Sequence, residues 1–197
     1  MRILVDFDYT LFNTEAMRRA LIAVLEPFGV DENTYRSTEQ EAKLDGVYHL
    51  TEHVRLLVGG DKQGEALEKM KAVVDNAGEF LYPDALPFLK DHSEHDVTVL
   101  SFGLPEWQER KIAGAGIDEL VDEVVATEQS KEEIVKQWEG EDVVFINDRG
   151  SEIDAMHAVL PNAKYVWLRR DGAPYRDEPC ASSGLEATNL SIDLNSL

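Results

Sequence analysis

The chain has 197 residues, 43% of them hydrophobic, and a formal charge of −20 from 39 acids against 19 bases. That apolar content suits a folded core with room for an inserted module and excludes a disordered chain. No apolar run approaches the roughly 20 residues of a membrane span, and the acidity lacks the basic footprint of a nucleic-acid binder. Neither a membrane nor a nucleic acid is therefore expected as a partner. The acidity reads as solubility or adaptation to a salty cytoplasm. It would repel a phosphorylated substrate at long range, so a site for one needs local cations. Cys180 is the sole cysteine, which rules out an intrachain disulfide. The amino terminus runs straight into an apolar strand without room for a cleaved leader, so a cytoplasmic location is expected.

The first element is the apolar run at 3–7, read as a buried strand that ends in Asp6, Asp8 and Thr10. Side chains at i and i+2 of a strand share a face, and a turn after Asp6 would bring Asp8 beside it. Two carboxylates at the end of a buried strand are costly unless a hard divalent cation offsets them. A largely helical stretch follows, with amphipathic patterns at 16–28 (ending before Gly29), 47–58 and 67–80. It carries Arg36, Lys43, Tyr48, His49, His53 and Arg55 as polar or cationic candidates for substrate contact. His49 and His53 stand at i, i+4, but no third ligand accompanies them, so surface or substrate contact is preferred over a metal site. Gly46 and the pair Gly59 and Gly60 are possible hinges.

Pro83 marks the return to the core. Helical patterns at 86–90, 105–115, 130–138 and 151–160 then alternate with strand-like runs at 97–102, 123–127, 143–146 and 165–168. Pro105 suits a first helical turn, and Ser130 with Glu133 has the spacing of a capping box. Beyond Arg170 the chain reads mostly as loop. Alternating strands and helices predict an α/β fold with a parallel sheet and right-handed crossovers. About ninety residues separate the first two strands, too many for one crossover, so 15–81 is predicted to be a small helical insertion over the strand ends.

Four polar sites follow strands in order: Asp6 with Asp8, then Ser101, then Lys131, then Asp148. Ligands of open parallel sheets bind outside the carboxyl ends of the strands, where all four sites fall. Gly103, two residues after Ser101, allows close backbone approach. Lys131 would neutralise an anion and the Asp6 charge. Lys136 lies beyond the helix start and Lys111 too far into the preceding helix, so neither is favoured. Glu152 is placed in an outer layer, orienting Lys131 or a metal-bound water, and Asp154 is read as a surface acid.

In this order the motifs resemble those of the haloacid dehalogenase-like hydrolase superfamily, in particular its C1-capped phosphatase-type members. Asp6, Asp8 and Thr10 match an Asp-x-Asp-x-Thr signature, and Ser101, Lys131 and Asp148 match the second, third and fourth motifs. The matched core is 1–13 plus about 82–170. The resemblance implies a Rossmann-like core (1–14 and 82–197) with strand order 5-4-1-2-3 and a helical cap at 15–81. It implies Asp6 as nucleophile, Asp8 as general acid and then base, and phosphate held by Ser101, the amides of Phe102 and Gly103, and Lys131. It also implies Mg2+ bound by Asp6, Asp148 and the Asp8 carbonyl. The substrate would be a small phosphorylated metabolite and the protein a monomer or homodimer. At the fourth motif the chain departs from the common Gly-Asp-x-x-x-Asp and Asp-Asp-x-x-x-Asn patterns: Glu152 stands at the last position. Asp8 points away from dehalogenases and phosphonatases, which do not need a leaving-group acid. Hydrolysis of a phosphate monoester is the favoured reading, with a phosphomutase or a non-hydrolytic phospho-acceptor module as alternatives.

Overall fold

The structure is a computed structural model that describes residues 1–194. In chain order, β1 (Arg2–Val5) is followed by α1 (Thr14–Leu25), α2 (Glu32–Glu41), β2 (Lys43–Leu44), β3 (Val47–Tyr48), α3 (Leu50–Leu57) and α4 (Gln63–Val74). Then come α5 (Ala85–Asp91), β4 (Asp96–Phe102), α6 (Pro105–Gly114), β5 (Glu123–Thr127), α7 (Lys131–Val135), β6 (Val143–Asn147), α8 (Gly150–Val159), β7 (Lys164–Leu168) and β8 (Leu185–Ala187).

A strand buried on both faces must be apolar at every position, and Ile3, Leu4 and Val5 are fully buried at the centre of the sheet. The sheet has six strands, all parallel, in the order β5-β4-β1-β6-β7-β8. Its first five core strands follow the expected order. The sixth, β8, lies where loop was expected. Leu185–Ala187 is short and carries one acid, so nothing in its composition marks a strand; it is an edge addition stitched to β7, with Arg169 N–H donating to Ala187 O at 2.7 Å.

Alternation along the strands divides the core. Ile3, Val5, Val97, Val99, Val144 and Ile146 face a cluster that continues through Met17, Leu21, Tyr35, Val54 and Met70 of the inserted helices. Leu4, Leu100, Phe145 and Trp167 face α7 and α8 through Val135, Ile153 and Met156.

Two elements of the insertion differ from expectation. The 47–58 pattern contains a helix only over Leu50–Leu57; before it lies a β2–β3 hairpin, closed by Asp45 and Gly46 at φ of 51° and 85°. Two positive φ values define the tight turn that matches strand twist, and Asp-Gly is its favoured pair. Gly46 is thus a turn former rather than a hinge between helices. The helix α2 has Tyr35 as its one buried residue, which leaves no apolar periodicity to read; Asp31 caps it by accepting from Thr34 N at 2.8 Å. The capping box expected at Ser130 does not form: its side chain makes no cap bond, and Glu133 pairs with Lys136 instead.

The insertion is tied to the core where α4 passes α6. A Cβ on Gly114 would stand 1.9 Å from the Val74 carbonyl oxygen, so only glycine permits this approach. Gly114→Ala is expected to lower stability by about 1–3 kcal/mol through backbone displacement, read as a fall in the denaturant midpoint. An unchanged midpoint would show that α4 and α6 part freely.

Candidate active site

The site begins where β1 ends. Asp6 N–H donates to Ile146 O at 2.9 Å, continuing the β1–β6 ladder by one bond, and Phe7 O then accepts from the amides of Thr10, Leu11 and Phe12. This tight turn holds Tyr9 at φ 59°, a left-handed conformation rare for a residue with a Cβ. The turn carries Asp8 out beside the end of β4. Beneath it the Phe7 and Phe12 rings stack at 4.7 Å.

Arg170 anchors the turn from behind. Its guanidinium donates to Thr10 O at 2.7 and 3.1 Å and forms a two-pronged pair with Asp84 at 2.8 and 2.9 Å, while lying 4.0 Å over the Tyr82 ring. Neither Arg170 nor Asp84 carries a motif in the sequence.

Asp6 and Lys131 are both buried, with Lys131 Nζ 2.5 Å from Asp6 Oδ1. Lys131 also meets Glu152 Oε2 at 2.8 Å, and Asn147 Nδ2 donates to the same oxygen at 2.8 Å. Glu152 therefore orients Lys131, in keeping with one of the two roles expected for it. Burial raises the Asp6 carboxyl to about 6, against the pull of Lys131. Asp148 follows β6, one strand away. Burial and the neighbouring Asp6 charge raise its carboxyl to about 9, and its Oδ2 is buried without a hydrogen-bond partner.

Asp8 is held differently. Lys111 Nζ lies 2.7 and 2.6 Å from its two oxygens, Thr14 Oγ1 donates to Oδ1 at 2.6 Å, and Gln108 Nε2 donates to Oδ2 at 2.9 Å. Burial would raise this carboxyl, but Lys111 and the donors outweigh it and hold it below the ordinary value. The expectation that Lys111 sits too deep in its helix is thus corrected: α6 runs back over the strand ends, and residue 111 is buried against the turn. Lys136 is an exposed partner of Glu133, away from the site.

Ser101 is buried at the end of β4 and accepts from Gln108 Nε2 at 2.7 Å. The amide of Gly103 donates to Thr127 O at 2.8 Å, so it is occupied and not open to a phosphoryl oxygen as expected. Gly103 serves instead through conformation, at φ 144°. Phe102 contributes its carbonyl to Gln108 at 2.8 Å and leaves its ring partly exposed.

A cavity of about 810 Å³ opens from these groups toward the insertion. Arg36, Lys43 and Tyr48 line it; His49, His53 and Arg55 do not. His53 is fully buried behind Tyr48, bonded to the Tyr48 hydroxyl, Thr38 Oγ1 and Tyr35 O at 2.9 to 3.1 Å. It is a packing residue and makes no metal pair with His49. Arg55 is an exposed partner of Glu52. Asp154, expected on the surface, caps the tail by accepting from the amides of Ala181 and Ser182.

No protein-family model and no curated protein matches the sequence. Solved structures do. One, described as a haloacid dehalogenase-like hydrolase from Burkholderia xenovorans LB400, superposes with a TM-score of 0.75 at 18% identity over 98% of both chains. The chain has the haloacid dehalogenase-like fold. YfnB from Bacillus subtilis, described as a HAD-hydrolase bound to magnesium, aligns with a TM-score of 0.67 at 14% identity, covering 96% of this chain and 94% of that one. L-2-haloacid dehalogenase from Xanthobacter autotrophicus aligns at 0.68 and 16%, with the same coverage.

In this haloacid dehalogenase-like fold the oxygens at the head of the sheet fit a hard divalent cation. Among the described residues the four carboxylates Asp6, Asp8, Asp148 and Glu152 face three cations, Lys111, Lys131 and, at 3.5 Å from Glu152, Arg149. The unpartnered Asp148 Oδ2 is the kind of buried oxygen a cation satisfies. Among the described residues no three His, Cys, Asp or Glu side chains form a ready cage, and the Asp8 carboxylate is turned to Lys111. Two side chains with a carbonyl suit magnesium, which keeps most of its waters. Among the described residues no helix is long and apolar enough to cross a membrane.

The Asp84–Arg170 pair generates a pH prediction. Asp84 is held below the ordinary carboxylate value, chiefly by Arg170 and the Leu190 amide working against burial. Its contribution is present above the unfolded value of about 3.9 and is lost as pH falls through the folded one. Asp84→Asn should lose about 1–3 kcal/mol at neutral pH. Its melting temperature should then fall less than that of the wild type on acidification. Parallel pH profiles for the two proteins would contradict the assignment.

Proposed function

We propose that the protein is a magnesium-dependent phosphatase that cleaves a small phosphate monoester through an aspartyl-phosphate on Asp6. The observation that carries this reading is the second carboxylate, Asp8, beside a head-of-sheet pair, Asp6 and Asp148, left short of positive charge. A phosphate ester needs both features: an acid for the departing alkoxide and a cation for the phosphoryl oxygens.

Asp6 and Asp148 would hold the cation, with the Asp8 carbonyl. Bound there, it would neutralise phosphoryl charge and orient the group in line with Asp6. An Asp6 oxygen attacks phosphorus, the ester P–O bond breaks, and Asp8 gives its proton to the leaving oxygen. Asp8 then takes a proton from water, whose oxygen attacks the same phosphorus and returns Asp6 as a free carboxylate with inorganic phosphate released. The Lys111, Thr14 and Gln108 contacts favour the Asp8 carboxylate, the form needed for this second half. A phosphate dianion entering beside Asp8 opposes them and favours the protonated form needed for the first. Lys131 and the Ser101 hydroxyl hold phosphoryl oxygens. Residues 15–81 act as a cap, and Arg36, Lys43 and Tyr48 meet the organic part of the metabolite.

Likeness to a haloacid dehalogenase raises a second reading, carbon–halogen hydrolysis. A halide leaves without a proton, and its displacement by a carboxylate needs no cation, so Asp8 and the unpartnered Asp148 oxygen speak against it. A panel of phosphate monoesters and 2-chloropropionate, each with magnesium or EDTA, separates the two. Phosphate release that requires magnesium and falls by at least about 10³-fold in Asp6→Asn is expected. Chloride release insensitive to EDTA would replace this reading with the second. Asp148→Asn should remove the rise in melting temperature that magnesium gives the wild type; an undiminished rise would move the cation elsewhere.

A further inference from the structure

Nothing in the four motifs involves α6, yet two of its side chains reach the reacting groups. We infer that Lys111 and Gln108 are positioning residues, holding Asp8 and Ser101 in the arrangement that leaving-group protonation and phosphate binding require. The inference rests on the phosphatase reading.

Both residues are nearly inaccessible, at 3% exposure each. Their i, i+3 spacing puts them on one helix face, and the Gly114 contact fixes the far end of that helix against α4. Lys111 grips both Asp8 oxygens, at 2.6 and 2.7 Å, and lies 5.4 Å from the centre of the Phe7 ring. A bidentate grip by a buried ammonium fixes where the carboxylate lies. Without it, one neutral donor on each oxygen, Thr14 Oγ1 and Gln108 Nε2, would be left to hold Asp8.

Gln108 joins Asp8 to the phosphate-binding end of β4. Its Nε2 lies 2.9 Å from Asp8 Oδ2, 2.7 Å from Ser101 Oγ and 2.8 Å from Phe102 O. The Phe102 carbonyl can only accept, so the amide must present its nitrogen here. Its two hydrogens are shared among three oxygens, and because an amide nitrogen cannot accept, the Ser101 hydrogen is not spent on Gln108 and can point at a bound phosphoryl oxygen. Gly103 makes the seat possible: a Cβ there would come within 3.1 Å of Gln108 Cγ. A glycine that looks like a phosphate-loop residue is thus also the space into which Gln108 packs.

Leaving-group chemistry distinguishes positioning from bulk support. Protonation by Asp8 matters for an alkoxide and little for p-nitrophenolate, which departs as an anion. Wild type, Lys111→Met and Gln108→Leu would be assayed on p-nitrophenyl phosphate and on a simple alkyl phosphate, with magnesium binding followed by melting temperature. For Lys111→Met, kcat on the alkyl ester should fall about 10²-fold and on the aryl ester no more than about 5-fold, with the magnesium response retained. For Gln108→Leu, KM should rise on both esters. Equal losses of kcat on the two esters, or none, would overturn the positioning role of Lys111; an unchanged KM would overturn that of Gln108. Should Lys111→Met not fold, Lys111→Gln must show the same split, and equal losses there would overturn the inference. A wild type inactive on both esters would overturn the phosphatase reading and this inference with it.

Discussion

Burying carboxylates at the end of a central strand is the constraint to which the rest of the molecule answers. Asp6 and Asp148 are buried and Asp8 half-buried where the apolar strands β1 and β6 run out, a position at which an uncompensated charge costs several kcal/mol. Compensation comes from separate sources. Lys131 and Glu152 form a relay onto Asp6, Lys111 grips Asp8, and the Asp148 oxygen is left with no protein partner. The two neighbouring aspartates are thereby driven apart in character: Asp6 is raised by burial, and Asp8 is lowered by its lysine. Lys111 thus favours the Asp8 carboxylate, the form that would take a proton from water, and a cation held beside Asp6 would favour its ionised form.

The fold delivers these groups through rigid parts. The turn after β1 is fixed three ways: by the Phe7 carbonyl inside it, by the stacked Phe7 and Phe12 rings below it, and by Arg170 behind it. Tyr9 accepts a left-handed backbone within that turn, the kind of local strain that persists where surrounding contacts over-determine it. Its hydroxyl accepts from Arg18 of α1 at 3.2 Å, so the strained turn and the inserted helices are joined through one side chain. The cavity between them is where a metabolite would be read.

The core was legible because its signals are local and redundant. Apolar, β-rich runs point to five parallel strands, and the residue types at their carboxyl ends point to Asp6, Ser101, Lys131 and Asp148, which the structure brings to one cavity. Features set by tertiary placement were not legible. Lys111 is ten residues past Ser101 in sequence, and only the path of α6 back over the sheet brings it to Asp8. Arg170 and Asp84 sit in stretches without a motif and meet across the chain. The Gly103 amide is occupied by the Thr127 carbonyl of the neighbouring strand, a pairing that no local pattern around Gly103 shows. The β2–β3 hairpin did carry a signal, Asp45-Gly46, which apolar periodicity across it obscured.

In the proposed mechanism the phosphoryl group passes through Asp6. Rapid quenching of the enzyme during turnover, borohydride reduction and peptide mass spectrometry would test it, because an acyl phosphate on aspartate reduces to homoserine. The account predicts homoserine at position 6, and only while a phosphate ester is being turned over. Turnover with an unmodified Asp6, or homoserine at position 8 instead, would contradict it.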